Sequence, residues 1–222
     1  MNMPPVSFSA LTTFENCPRQ YQETKVLKHY VSEDTEATLW GKEVHSALEL
    51  RIKEGRALPS WGTKWEKIAE AILSKKHRGA SVETEMQLAI NKNFQKTDWA
   101  DHDAWARCIL DLVVIDGDTC TSIDWKTGKK KPSKQLEMSA GIIFCHCPEV
   151  EVVKTAFFWL KSNDTTKEEY KRKDIPIIWN EFMPRVNRLE AAYEADKWPC
   201  RPSGLCSQWC PVLSCTYNGK NR

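Results

Sequence analysis

Two acids and a base interrupt otherwise apolar runs. Asp111 lies in Ile109-Leu110-Asp111-Leu112-Val113-Val114-Ile115, and Asp124 and Lys126 lie in Ile123-Asp124-Trp125-Lys126-Thr127-Gly128. Both runs have the length and residue types of strands, at 105–116 and 119–126, and Asp116-Gly117-Asp118 between them is a hairpin signal. Strand side chains alternate faces, so Asp124 and Lys126 share one face and Trp125 takes the other. With Gly117-Asp118 as the loop, facing residues sum to 235 and Asp111 opposes Asp124; with Asp116-Gly117 the sum is 233 and the two are diagonal on one face. Like charges so placed destabilise a sheet. A divalent cation would offset the repulsion, and oxygen ligands suit Mg2+ or Mn2+. The plainer alternative is that Asp124 and Lys126 form an ordinary surface ion pair.

The remaining elements must position these groups. Thr38 to about Glu54 reads as a helix, because Trp40, Val44, Leu48 and Ile52 recur every four residues. Gly41 and His45 share one face of it, and the missing side chain at Gly41 is expected to leave room beside the imidazole. Trp65, Ile68, Ala69, Ile72 and Leu73 mark a second amphipathic helix after the turn at Pro59-Gly62. Residues 82–90 alternate apolar and polar as a half-buried strand, with Glu85 on the polar face. Asn91–Asp103 reads as irregular. Gly128-Lys129-Lys130-Lys131 is a basic loop that could guide phosphates. Ser133 is expected to cap a helix to about Cys145, with Gln135 and Ser139 on one face. Val150–Leu160 reads as a buried strand, and Ser162–Lys173 as a loop or exposed hairpin. Trp179 to Tyr193 reads as a last helix, kinked or begun at Pro184. At the other end, Ser7–Glu15 reads as a short capped helix ended by Pro18, with Cys17 at its end, and residues 31–37 as a loop.

The chain has 222 residues, 41% hydrophobic and 28% charged, with a net charge of +2, so any basic surface is local. No apolar run is long enough to span a membrane, and the first residues lack the pattern of a signal peptide. A cytoplasmic location is expected, where thiols stay reduced. Nine cysteines then need another explanation than disulfides. Cys108, Cys120, Cys145 and Cys147 read as core residues. Cys200, Cys206, Cys210 and Cys215 crowd a Pro- and Gly-rich tail that cannot fold by burial alone, and their spacing suggests metal thiolates. One set is local, Cys200, Cys206, Cys210 and Cys215, suited to Zn2+; the other replaces Cys200 by Cys17 and would join the chain ends.

The order of Gly41-x-x-x-His45, a strand, Asp111, a hairpin, Asp124-x-Lys126 and a helix beginning near Gln135 resembles the PD-(D/E)xK nuclease superfamily, and more closely its RecB-like branch. Asn16-Cys17-Pro18 with Tyr21, and the late Cys206, Cys210 and Cys215, are similar to the iron–sulfur subset that includes AddB and the CRISPR-associated RecB-like exonucleases. The resemblance implies an α/β fold of the restriction-endonuclease type, a central mixed β-sheet flanked by helices. It implies one nuclease domain over 1–222, with the segment 200–217 packed against 7–21 by a [4Fe–4S] cluster on Cys17, Cys206, Cys210 and Cys215. His45, Asp111, Asp124 and the Trp125 carbonyl would hold the metal, Lys126 would orient a metal-activated water, and Gln135 would complete the site. Glu85 would support these ligands or hold a second metal. The implied activity is exonucleolytic hydrolysis of DNA, single-stranded or with free ends, in recombination, repair or replication, and the small size resembles stand-alone nucleases of phages, which act in the host cytoplasm. A homo-oligomer or a recombination partner protein is compatible with this. Ser139 stands where the family pattern has Tyr, and Cys108 where it often has Gly. A catalytically silent DNA-binding or assembly protein with the same fold is the alternative.

Overall fold

The computed structural model describes residues 3–221. The chain forms two compact units, Thr35–Trp179 and the pair of segments Met1–Asp34 and Asn180–Arg222.

The first unit is built on a sheet of six strands: β1 (Ser81–Ile90), β2 (Lys96–Thr97), β3 (Ala106–Asp116), β4 (Thr119–Lys126), β5 (Val152–Trp159) and β6 (Asp164–Lys171). The order is β2-β1-β3-β4-β5-β6. All neighbours are antiparallel except β4 and β5, which run parallel. A parallel pair needs a crossover, and helix α5 (Gln135–His146) supplies it. The segment expected to be a loop or exposed hairpin is therefore the edge strand β6, whose alternating residues leave one side in solvent.

Two helices cover one face of this sheet. Helix α3 (Glu36–Glu54) starts at Thr35, whose side chain accepts from the Thr38 N–H, and ends at Gly55 in the left-handed region. Helix α4 (Glu66–His77) follows a tight turn at Ser60–Trp65. Val44, Leu48 and Ile52 pack with Trp65 and Ile72 on Leu112, Val114, Trp125, Phe158 and Leu160. On the other face, Leu136 of α5 packs on Phe157 and Trp159. The sheet thus has apolar cover on both faces, which is why β5 reads as a nearly continuous hydrophobic run. Together these elements make a mixed α/β fold of the restriction-endonuclease type.

The second unit contains α1 (Phe8–Asn16), capped by Ser7, and α2 (Pro18–Tyr21), with Cys17 between them. A last helix, α6 (Ile175–Glu194), runs unbroken through Pro184. In this unit Tyr21 stacks on Trp198 at 5.9 Å, Phe14 meets both rings edge-on, and Arg185 holds the Glu15 carboxylate through bonds of 2.7 and 2.8 Å. The tail after Trp198 has only short turns. Among the core cysteines, Cys120 and Cys147 are buried, while Cys108 and Cys145 are only partly so.

Candidate active site

The hairpin closes with Asp116 opposite Thr119, so facing residues sum to 235. Gly117 occupies the first loop position at φ +63°, a conformation such turns require and glycine tolerates. Asp111 therefore stands opposite Asp124. Yet the ladder stops one row earlier, at Leu112 and Ile123. Beyond it the Asp111 carboxylate replaces a backbone partner, as its Oδ2 accepts the Trp125 N–H at 2.7 Å.

The same row is irregular on its other side. Thr84 pairs with Leu112 and Met86 with Leu110, which places Glu85 opposite Asp111 but outside the ladder. Glu85 has φ +50°, a left-handed conformation unfavourable for a residue with a Cβ. Strained backbone of this kind collects at functional sites. Three carboxylates, Glu85, Asp111 and Asp124, thus occupy one row across three strands, just where β3 and β4 part.

Helix α3 delivers His45 to this gap. Its Nε2 lies 2.9 Å from the Trp125 carbonyl oxygen, and its Nδ1 lies 3.5 Å from Asp111 Oδ2. One ligand atom from each of His45, Glu85 and Asp111 falls within a mutual 4.8 Å. A Cβ at Gly41 would sit 3.4 Å from Thr127 Oγ1, in van der Waals contact, so this turn of α3 lies against the end of β4.

Helix α5 delivers Gln135 from the opposite face. Its amide nitrogen donates to Asp124 Oδ1 at 2.7 Å, and its oxygen accepts from Lys126 Nζ at 3.1 Å. Lys126 Nζ is also 2.6 Å from Asp124 Oδ2, an ion pair off the line of a hydrogen bond. Beneath the ammonium lies the Phe157 ring at 4.9 Å. The helix starts one residue later than its hydroxyl suggests: Lys134 is the cap residue, and Ser133 Oγ accepts the Gln135 N–H at 3.2 Å.

The electrostatics follow from crowding like charges in a half-buried cleft. Burial pushes the Asp124 carboxyl up to about 6; Asp111 adds to the shift, and Lys126 and His45 oppose it. Burial also raises Glu85, helped by Asp111 and Glu49. For His45, burial disfavours the imidazolium, but the bond to Asp111 and the nearby carboxylates outweigh it and hold the ring above its ordinary value. A divalent cation would relieve all three shifts. The donor set fits one: imidazole, carboxylates and a backbone carbonyl suit Mg2+ or Mn2+, while Asp124 Oδ2 meets the Lys126 ammonium.

Of the residues singled out in the sequence, His45, Glu85, Asp111, Asp124, Trp125, Lys126 and Gln135 meet here. Phe157 also borders the site, and Thr127, the residue after Lys126 in the same motif, faces Gly41, but no spacing marked Phe157. It became visible only through the β4–β5 pairing, which sets Phe157 beside Asp124. In the other unit, Cys17, Cys200, Cys206, Cys210 and Cys215 line one pocket with Tyr217.

Residues 5–215 match the family model of the PD-(D/E)XK nuclease superfamily, and the chain belongs to that superfamily. The match crosses both units. A candidate exonuclease from Eubacterium rectale has a similar solved structure, with a TM-score of 0.55 and 14% identity over 98% of this chain and 88% of that one. The structure of LHK-Exo in complex with dAMP is a weaker likeness, with a TM-score of 0.34 and 18% identity over 70% of this chain and 83% of that one. No curated protein matches the sequence. Among the described residues no helix is long and apolar enough to cross a membrane.

Proposed function

We propose that the chain is a divalent-metal-dependent deoxyribonuclease that removes nucleotides from DNA ends in recombination, repair or replication. The observation that carries this is the row of Glu85, Asp111 and Asp124 at a break in the sheet, joined by His45 from one helical layer and Gln135 from the other. A structural ion pair has no need of three carboxylates against one lysine.

His45, Asp111, Asp124 and the Trp125 carbonyl would hold Mg2+ or Mn2+, with Glu85 beside them, and the metal would supply an acidified water and neutralise the scissile phosphate. The protein groups do the rest. Asp111 and His45 clamp the Trp125 backbone from both sides. Lys126 faces the reaction with its ammonium against Asp124 Oδ2, placed to orient the attacking water or to meet the charge that develops on phosphate oxygen. Gln135 keeps that ammonium and Asp124 at fixed separation, and Phe157 excludes water from beneath. Lys129 and Lys131 in the exposed loop after β4 would meet the phosphate backbone.

The cysteine pocket would hold a [4Fe–4S] cluster on Cys17, Cys206, Cys210 and Cys215. Backbone N–H groups already point at two of these sulfurs: Arg201 N lies 3.5 Å from Cys17 Sγ and Ser203 N 3.4 Å from Cys206 Sγ. Such bonds stabilise cluster thiolates. Four thiolates on one zinc stand about 3.8 Å apart at a Zn–S distance near 2.3 Å, and Cys200 Sγ lies 3.8 Å from Cys215 Sγ, a separation that suits the local zinc set. Arg201 also donates to the Glu15 carbonyl, tying the tail to the end of α1.

The test is digestion of end-labelled single- and double-stranded DNA by anaerobically purified protein, with Mg2+, Mn2+ or chelator. Metal-dependent release of nucleotides, lost in Lys126→Ala, is expected. Binding of DNA without hydrolysis in any metal would replace the nuclease with the silent DNA-binding reading, and the serine at 139 would become its first suspect.

A further inference from the structure

Trp40 is one residue ahead of Gly41 and keeps 40% of its surface exposed. A large aromatic at a helix start is normally turned into the core, and Val44 and Leu48, on the same face, are fully buried. Trp40 is also not loose. Its ring meets Trp61 edge-on at 4.8 Å, and Trp61 meets the buried Trp65 at 6.0 Å, with the Lys64 ammonium 5.0 Å from the Trp65 ring. The three indoles form a braced series whose outermost member faces solvent.

Its position relates it to the carboxylate row. Gly41 abuts Thr127, the residue after Lys126, so Trp40 stands beside the start of the loop that carries the exposed Lys129 and Lys131. Five positions of α3 separate Trp40 from His45, about 7.5 Å along the helix axis and about 140° around it, so the indole stands on the stripe next to the one that carries Gly41 and His45. An aromatic face thus flanks the cations for phosphates and the cleavage chemistry. Bases of a duplex are stacked on one another and offer no free face, whereas an unpaired base does.

We propose that Trp40, braced by Trp61, stacks on an unpaired base next to the nucleotide being cleaved, so that the site takes single-stranded or frayed DNA ends. The proposal rests on the nuclease reading for its path but is measured by binding. In EDTA, the affinity of the protein for a fluorescently labelled oligothymidylate is compared with that for an abasic oligonucleotide of the same length, and for a blunt duplex. Trp40→Ala is expected to weaken oligothymidylate binding about 5- to 150-fold, the range for loss of one stacked base. It should leave the abasic strand and the duplex unchanged, and Trp40→Phe should restore most of the loss. Equal loss on the normal and abasic strands, or no loss, would overturn the proposal. If the alanine variant fails to fold, Trp40→Phe and the unmodified protein still decide: equal affinity of the unmodified protein for both strands refutes stacking. Hydrolysis by the unmodified protein in Mg2+ or Mn2+ is scored separately. Its absence with stacking intact would sink only the nuclease reading, and its presence with an unaffected Trp40→Ala would sink only this one.

Discussion

Asp124→Asn should make the metal-free protein more stable while destroying its activity. The side chain keeps its shape, but a carboxylate in an unfavourable place is removed. Asp124 moves from an ordinary 3.8 to about 6 on folding, chiefly through burial and then through Asp111. The folded pKa lies above the unfolded one, so the folded state binds more protons between these values, and stability falls as pH rises through that window. Above both values the penalty is about 3 kcal/mol at roughly 1.36 kcal/mol per pKa unit. In a protein of this length that corresponds to roughly 6–12 °C in Tm. At pH 5 most of the folded carboxyl is already protonated and about half of the penalty remains; below the unfolded value it vanishes. The assay is thermal unfolding of both proteins in EDTA at pH 7.5 and pH 5. The variant should melt higher at pH 7.5, by a margin that shrinks at pH 5. Adding Mn2+ should raise the Tm of the unmodified protein and move the variant much less. A variant that melts lower at pH 7.5 would show that the Lys126 pair outweighs burial and the Asp111 repulsion, and the electrostatic argument for a cation would fail with it.

Other expectations concern different parts of the molecule. Lys126→Ala should lower turnover by two orders of magnitude or more with DNA affinity little changed, as followed by single-turnover digestion; retained hydrolysis would remove lysine from the chemistry. Glu85→Gly should be more stable than Glu85→Ala by about 1 kcal/mol in urea titrations, because only glycine adopts φ +50° without strain; an alanine variant of equal stability would show that the backbone there has relaxed. Gly141→Ala should destabilise by about 1–3 kcal/mol, since its new Cβ would sit 2.9 Å from Ile178 Cγ2; an unchanged denaturation midpoint would mean that this packing yields. Cys17→Ser should lose the brown colour and the visible absorbance of anaerobically purified protein; a colourless protein whose bound zinc survives Cys17→Ser would return the site to the local set that includes Cys200.

Much of the geometry of the candidate site was legible without coordinates, because it lay in short-range patterns. A two-residue alternation put Asp124 and Lys126 on one face, and the turn signal around Gly117 left two registers, both of which put Asp111 on the face of Asp124; the folded hairpin takes the one that opposes them. Neither signal depends on distant contacts, so each follows from local backbone geometry. The four-residue recurrence of Val44, Leu48 and Ile52 likewise defined α3 from within. Edge strand β6 was ambiguous because a strand with one wet side and a solvated hairpin carry similar residues. The start of α5 was displaced by one residue because either Ser133 or Lys134 could precede the first helical turn.

What tertiary structure alone decided is how the pieces meet. At the break in the ladder at Asp111, with the left-handed Glu85 beside it, a side-chain carboxylate and not a backbone carbonyl takes the Trp125 N–H. Nothing in the residue types announces which acceptor wins. The delivery of His45 and Gln135 from opposite faces depends on helices packing on both sides of the sheet, and the setting of Phe157 beside Asp124 on a parallel pairing across a crossover. These are contacts between residues far apart in the chain. Their free energy comes from burial and from shared charge, which belong to the folded whole and not to any single segment.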